Sequence, residues 1–345
     1  LLTRNLAIRR DEDLGLSRRE FIKLCMTSAA GASLISVLGP EINGTLAMAA
    51  EGKPPVIWLQ GASCTGCSIS LLNSVDPVIE KVILDVISLK YHPNISAGSG
   101  HHVGTIFDEA IQNYKGQFIL VVEGAIPLKD DGKYCTITEM GGREITILQA
   151  VQALGKASMA VIAAGQCASY GGIPGGAPNP TGVVGVNKVV DPKKVINLSM
   201  CPMHPDHFLG TVVYVLKYGS IPELDRHGRP KMFYPKPIHD SCERRPAFDA
   251  GKFASFIGDE GCLSLLGCKG FIATSDCPVR GWNNNVNWCV KAGAPCMACS
   301  EPTFPDAASP IYGSYPLTNK QAGASAQFEP QKTEILEKTR ESRKL

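Results

Sequence analysis

The sequence predicts an α/β protein in which a doubly wound, parallel-sheet domain is followed by an irregular domain that metal centres stabilise. Two observations carry this reading. From Pro54 to about residue 220, short apolar runs alternate with helical patterns, as in a sheet covered by helices on both faces. Beyond Ile221 the periodicity stops, Pro and Gly become frequent, and seven cysteines crowd between Cys242 and Cys299.

At 345 residues, 44% hydrophobic and 19% charged, the chain can bury a substantial core, and its length suggests about two domains. Lys and Arg total 34 against 32 acidic residues, with no long basic cluster, so the sequence lacks the basic face that a nucleic-acid partner requires. Thirteen cysteines is a high count and admits a disulfide framework, zinc sites or iron–sulfur clusters.

The first residues favour a metal cofactor. SRREFIK from Ser17 has the form of a twin-arginine signature, followed by an apolar run from Leu24 to Leu38 and by AMA at Ala47 to Ala49. Residues 1–49 are therefore expected to be a twin-arginine signal peptide, directing the chain to the periplasm. That route carries folded proteins, commonly with a cofactor already inserted. Cys25 would be lost with the signal. No later segment reaches the roughly 18 consecutive apolar residues that span a bilayer, and residues 316–345 read as a polar tail without a membrane anchor.

Strands are expected at Val56 to Leu59, Val82 to Leu89, Phe118 to Val122, Met159 to Ala164 and Val195 to Leu198, with a helix from about Asp206 to Gly219, where glycine stops it. Residues 50–220 form the first expected domain and 221–315 the second. In the second, ligand bonds would order loops that apolar burial alone cannot hold.

Cys64 and Cys67 (QGASCTGCS) follow the first strand, Cys167 (AAGQCASYGG) the fourth and Cys201 the fifth. In a parallel sheet these loops share the carboxyl edge, where ligands bind, so four thiolates can converge there. Four thiolates suit a tetrahedral zinc or a four-iron cluster, and spacing does not separate the two. The neighbouring Gly61, Gly66, Gly165, Gly171 and Gly172 favour the cluster, because they let backbone amides approach its sulfurs. Glu123, in VVEGAIP, is expected to orient loops near this site.

His239 and Cys242 form an H-x2-C pair that Cys262 and Cys268 complete, giving one imidazole and three thiolates. Cys277, Cys289, Cys296 and Cys299 supply four more thiolates, with only the last two spaced as C-x2-C, which disfavours a zinc ribbon. Cys135 is left over and reads as a buried, inert thiol. His101 and His102 read as solvated residues of a glycine-rich loop. With three redox sites and no evident acid, base or nucleophile, the chain reads as an electron conductor that needs a catalytic partner.

SRREFIK, CTGCS, VVEGAIP, GQCASYGGIP, CPMHPD, H-x2-C and NWCVKAGAPCMACSEPTFPDAASPIYG occur in that order, and together they resemble the small subunit of periplasmic nickel–iron hydrogenases over nearly the whole chain up to Gly313. The resemblance implies a flavodoxin-like first domain. It implies a proximal [4Fe-4S] cluster on Cys64, Cys67, Cys167 and Cys201, and a distal [4Fe-4S] cluster on His239, Cys242, Cys262 and Cys268. Cys277, Cys296 and Cys299 match the medial site.

Many members have proline where this chain has Cys289, and their medial cluster is [3Fe-4S] with three cysteine ligands. A thiolate at Cys289 can bind a fourth iron, so a medial [4Fe-4S] cluster is expected, as in the selenium-containing (NiFeSe) subgroup, with [3Fe-4S] as the alternative. Gly66 and Gly172 stand where oxygen-tolerant members carry extra cysteines, which implies a conventional proximal cubane and an oxygen-sensitive enzyme. The resemblance further implies an obligate large subunit that holds the Ni-Fe centre and does the chemistry, with no catalytic residue in this chain. A soluble c-type cytochrome or a membrane acceptor would take electrons at the distal cluster. The competing reading is a stand-alone multi-cluster electron carrier, which would have no large partner.

Overall fold

A computed structural model describes residues 54–305 except Asp76; the expected signal peptide over 1–49 and the polar tail over 316–345 lie outside these residues. The chain divides into two compact units, the first ending at Tyr234 and the second starting at Pro235.

The first unit is built on β1 (Pro55–Gln60), β2 (Ser88–Tyr91), β3 (Ile119–Glu123), β4 (Ile126–Pro127), β5 (Thr136–Met140), β6 (Arg143–Thr146), β7 (Ala160–Ala164), β8 (Val183–Val184) and β9 (Val195–Leu198). Five of these form one sheet in the order β2-β1-β3-β7-β9, with every pair parallel, while β4 with β8 and β5 with β6 make small antiparallel ladders. Counting only the strands of the large sheet, the order is 2-1-3-4-5, the flavodoxin-like doubly wound arrangement.

The central strands are predominantly apolar because both faces are covered. Ile57 and Leu59 of β1 enter one apolar cluster with Leu120, Val122, Phe107 and Leu154, whereas Val56 and Trp58 enter another with Ile119, Val121, Leu71 and Phe208. Helices α1 (Gly66–Leu72), α2 (His101–Asn113), α3 (Ile147–Ala157), α4 (Gly165–Tyr170) and α5 (Pro205–Tyr218) supply these layers. Phe118 and Phe208 are fully buried, a contribution of about 2–3 kcal/mol each. A capping box of Thr146 and Gln149 starts α3, and α5 runs from Pro205 to a left-handed Gly219.

Expectation and structure differ at Val82 to Leu89. Val82–Val86 is a π-helical turn that buries Val82 and Val86 and exposes Leu84, and the strand begins only at Ser88. A short apolar run cannot by itself distinguish a buried turn of helix from a strand. His101 and His102 also differ from the expected loop: they open α2, though both are exposed. Residues 221–234 belong with the first unit, where the backbone amide of Asn197 in β9 donates to the Gly228 carbonyl at 2.8 Å and the Tyr234 hydroxyl donates to the Ser199 carbonyl at 3.2 Å.

The second unit contains no strand among its described residues, and its longest helix is the five-residue α6 (Arg245–Asp249), followed by α7 (Cys277–Arg280). Turns and isolated bridges, such as Phe253 with Cys262, take the place of regular elements.

Candidate iron–sulfur sites

The first cysteine set sits where four adjacent strands end level. Gln60 of β1 pairs with Glu123 of β3, Glu123 with Ala164 of β7, and Ala164 with Leu198 of β9. The loops that leave this row carry Cys64 and Cys67 after β1, Cys167 after β7 and Cys201 after β9, while β3 contributes Glu123 itself. Thr65 takes a left-handed conformation (φ 65°) between the first two cysteines, and Gly165 does so (φ +87°) two residues before Cys167.

These four side chains face one another. Burial, first of all, holds the Cys67 thiol well above its ordinary value, with the Glu123, Cys167 and Cys201 charges adding to the effect and the Met203 amide opposing it. Cys167 is pushed up to about 12, again mainly by burial and then by Cys201. Burial and then Cys64 raise Cys201. None of the four is in a disulfide. Raised in this way, Cys67, Cys167 and Cys201 stay thiols unless a metal takes the place of the proton, so a metal bound here would release protons.

Two glycines show that the space is shaped for the sulfurs. A Cβ on Gly165 would lie 2.3 Å from Cys67 Sγ, and one on Gly172 (φ +53°) 2.7 Å from Cys167 Sγ. The Met203 amide donates to Cys67 Sγ at 3.4 Å, and Ser70 Oγ donates to the Met203 carbonyl at 2.7 Å, which ties α1 to the Cys201 loop.

Behind the site lies a buried polar network. Glu123 accepts hydrogen bonds from the Cys67 amide (3.0 Å), Trp58 Nε1 (3.1 Å), Gln60 Nε2 (3.1 Å) and the Ser68 hydroxyl. Ser68 Oγ is also 3.0 Å from His92 Nε2, and His92 Nδ1 accepts from the Asn94 amide at 3.1 Å. Sequence reading found Glu123, because a carboxylate ending an apolar strand is conspicuous, but it missed Ser68 and His92, which carry no such signal.

The second and third sets occupy the second unit. Cys268 and Cys262 both raise Cys242, after its burial, and Cys262 acts in the same way on Cys268. His239 packs on Phe271 (ring centroids 4.0 Å) and Phe248 (4.7 Å), and its Nε2 is buried without a hydrogen-bond partner. Burial, helped by Arg245, lowers its imidazole, favouring the neutral form that binds metal. In the third set Cys277 is raised by burial and then by the charges of Cys299, Asp276 and Cys289, and Cys296 by burial and then by Cys268, Cys299 and Cys277. Cys289 is the most open of this group. Cys135 lies apart, half-buried against the β-sheet core, with its sulfur 3.9 Å from the Gln60 carbonyl.

Among the described residues, no three His, Cys, Asp or Glu side chains cluster tightly enough to hold a single metal ion. Within each set, thiols act on one another through space, as Cys167 and Cys201 do on Cys67, Cys268 and Cys262 on Cys242, and Cys299 on Cys277, and several sulfurs in one neighbourhood suit a cluster in which each ligand binds a different iron. The glycine-lined sulfurs of the first set and the unpartnered His239 nitrogen of the second fit such groups.

Residues 64–215 match the family model of the NADH ubiquinone oxidoreductase 20 Kd subunit, and residues 234–312 match that of the C-terminal region of the NiFe/NiFeSe hydrogenase small subunit. Fold and family matches together place the chain in the class of iron–sulfur redox subunits. The chain is 40% identical over 314 residues to the periplasmic [NiFeSe] hydrogenase small subunit of Desulfomicrobium baculatum, covering 87% of this chain and 99% of that one. It is 40% identical to the uptake hydrogenase small subunit of Azotobacter vinelandii, covering 86% and 82%. The solved structure of the H2-activated Dm. baculatum [NiFeSe]-hydrogenase superposes with a TM-score of 0.71 at 41% identity, covering 76% of this chain and 99% of that one. This chain belongs to the family of NiFe/NiFeSe hydrogenase small subunits.

Proposed function

We propose that the chain is the electron-conducting small subunit of a [NiFe]- or [NiFeSe]-type uptake hydrogenase. A large subunit holds the Ni-Fe centre at which hydrogen is oxidised, and this chain passes the electrons to an external acceptor. Iron–sulfur clusters supply one-electron carriers when bound. Cys64, Cys67, Cys167 and Cys201 would hold the proximal one, His239, Cys242, Cys262 and Cys268 the distal one, and Cys277, Cys289, Cys296 and Cys299 a medial [4Fe-4S]. Periplasmic localisation through the twin-arginine pathway, and a c-type cytochrome or membrane acceptor at the distal end, complete the reading. No helix among the described residues is long and apolar enough to cross a membrane.

The observation that carries the proposal is a link between two donor sets. The Cys296 amide donates to Cys268 Sγ at 3.3 Å, and the Lys269 amide donates to the Cys296 carbonyl at 2.7 Å. The residues read as a distal and a medial ligand are therefore one hydrogen bond apart, a short path for an electron between the two sites. The chain's own work is to hold the donors and aim amides at sulfur, and the hydrogen chemistry falls to the large subunit.

The test is the nickel content and partner mass of the natively purified, anaerobic complex. About one nickel, with a large subunit in equal amount, is expected. Iron without nickel or a large partner would make the chain a free electron carrier, and zinc in place of iron would overturn the reading.

A further inference from the structure

Ser275 is only 3% exposed, and its hydroxyl lies 3.4 Å from Cys277 Sγ, a contact in which either atom can donate. A sulfur bonded to iron has no proton to give, so in the loaded site only Ser275 can be the donor. The serine is held in place from both sides. The Thr274 amide donates to Glu301 Oε1 at 2.7 Å, and Asp276 forms a buried pair with Arg280, whose Nε and Nη2 each approach Oδ2 at 2.8 Å. The carboxylate beside Cys277 is thus matched by a cation, and the hydroxyl is the group directed at the sulfur.

We propose that Ser275 is a positioning residue of the medial site: its hydroxyl donates to Cys277 Sγ and raises the reduction potential of the cluster held there. A hydrogen bond to a ligand sulfur draws off negative charge and so favours the reduced state, and its effect is greater where burial excludes water. The inference rests on the reading of Cys277 as a cluster ligand. Its consequence for function is specific. Four thiolate ligands pull a cluster toward lower potential than three, and Ser275 acts in the opposite sense, keeping the medial step accessible to electrons.

The experiment is an EPR-monitored redox titration of the purified heterodimer carrying Ser275→Thr, Ser275→Val or Ser275→Ala. Thr and Val have nearly the same shape and differ in the hydroxyl, so that pair isolates the hydrogen bond even where the Ala variant folds poorly. The expected result is a medial potential shifted to more negative values in Ser275→Val and Ser275→Ala, close to wild type in Ser275→Thr, with the proximal and distal potentials unmoved. Equal medial potentials in the Thr and Val variants, or a common shift of all three centres, would overturn the inference while leaving the cluster assignment intact. A wild-type heterodimer without a third titrating centre would instead overturn the medial assignment on which it rests.

Discussion

The backbone amide of Cys67 donates to the carboxyl of Glu123 at 3.0 Å, although the two residues lie 56 positions apart in sequence. The contact joins a residue proposed as a proximal donor to the last residue of the central strand β3, so the sheet register itself fixes the distance between the carboxylate and the proposed site.

Replacing Glu123 by Gln should raise the proximal potential. One carboxyl oxygen faces three donors and the other faces the Cys67 amide. A glutamine will turn its carbonyl toward the three and leave its NH2 against the amide, breaking that bond at a cost of about 1–3 kcal/mol. Loss of the charge favours the reduced cluster. Potentiometry of Glu123→Gln checks this, and a proximal potential that is unchanged or lower contradicts it.

Gly165→Ala should eliminate the proximal site. The new Cβ would meet Cys67 Sγ at 2.3 Å in a backbone with φ +87°, and the left-handed conformation alone costs an alanine about 1–2 kcal/mol. Iron in the purified complex should fall by about four atoms per chain. Full iron content would show that the loop yields without loss of the site.

Cys289→Ala should remove one iron from the medial centre, because the three other thiolates of its set remain. A three-iron EPR signal is expected to appear in the oxidised variant, with a higher medial potential. An unchanged spectrum would show that Cys289 is not a ligand.

His92 gives the first unit a pH dependence. Burial lowers its imidazole from the ordinary value, with the Glu123 charge opposing. A histidine depressed in the folded state contributes stability fully above its unfolded pKa of about 6.5, and that contribution is lost as pH falls through 6.5 toward the folded value. Between pH 7.5 and pH 5 the thermal midpoint of the wild type should therefore fall further than that of His92→Gln. Parallel curves for the two proteins would refute this.

The parallel sheet was legible in the sequence because strands covered on both faces are predominantly apolar, as β1, β3, β7 and β9 are, with Gln60 and Glu123 only at strand ends and Asn197 the one polar residue inside β9. Val82–Val86 was not, since one buried face of a π-helical turn gives the same apolar run. The candidate donors stood out in the sequence because cysteines are unusually many and their spacing groups them. Ser68, His92 and Ser275 escaped notice, because a serine or histidine gains its role only from what folding sets beside it. Of the glycines next to the cysteines, only Gly165 and Gly172 have a Cβ position closer than 3.0 Å to a cysteine sulfur, so the structure accounts for them by the room they leave the sulfur.

The central claim is that the three donor sets each hold a four-iron cluster. Mössbauer spectroscopy of the 57Fe-enriched complex, purified without air, tests it most directly. About twelve cluster irons per small subunit are expected, all of the cubane type. A stoichiometric three-iron component in the intact complex, or iron for only two clusters, would contradict it.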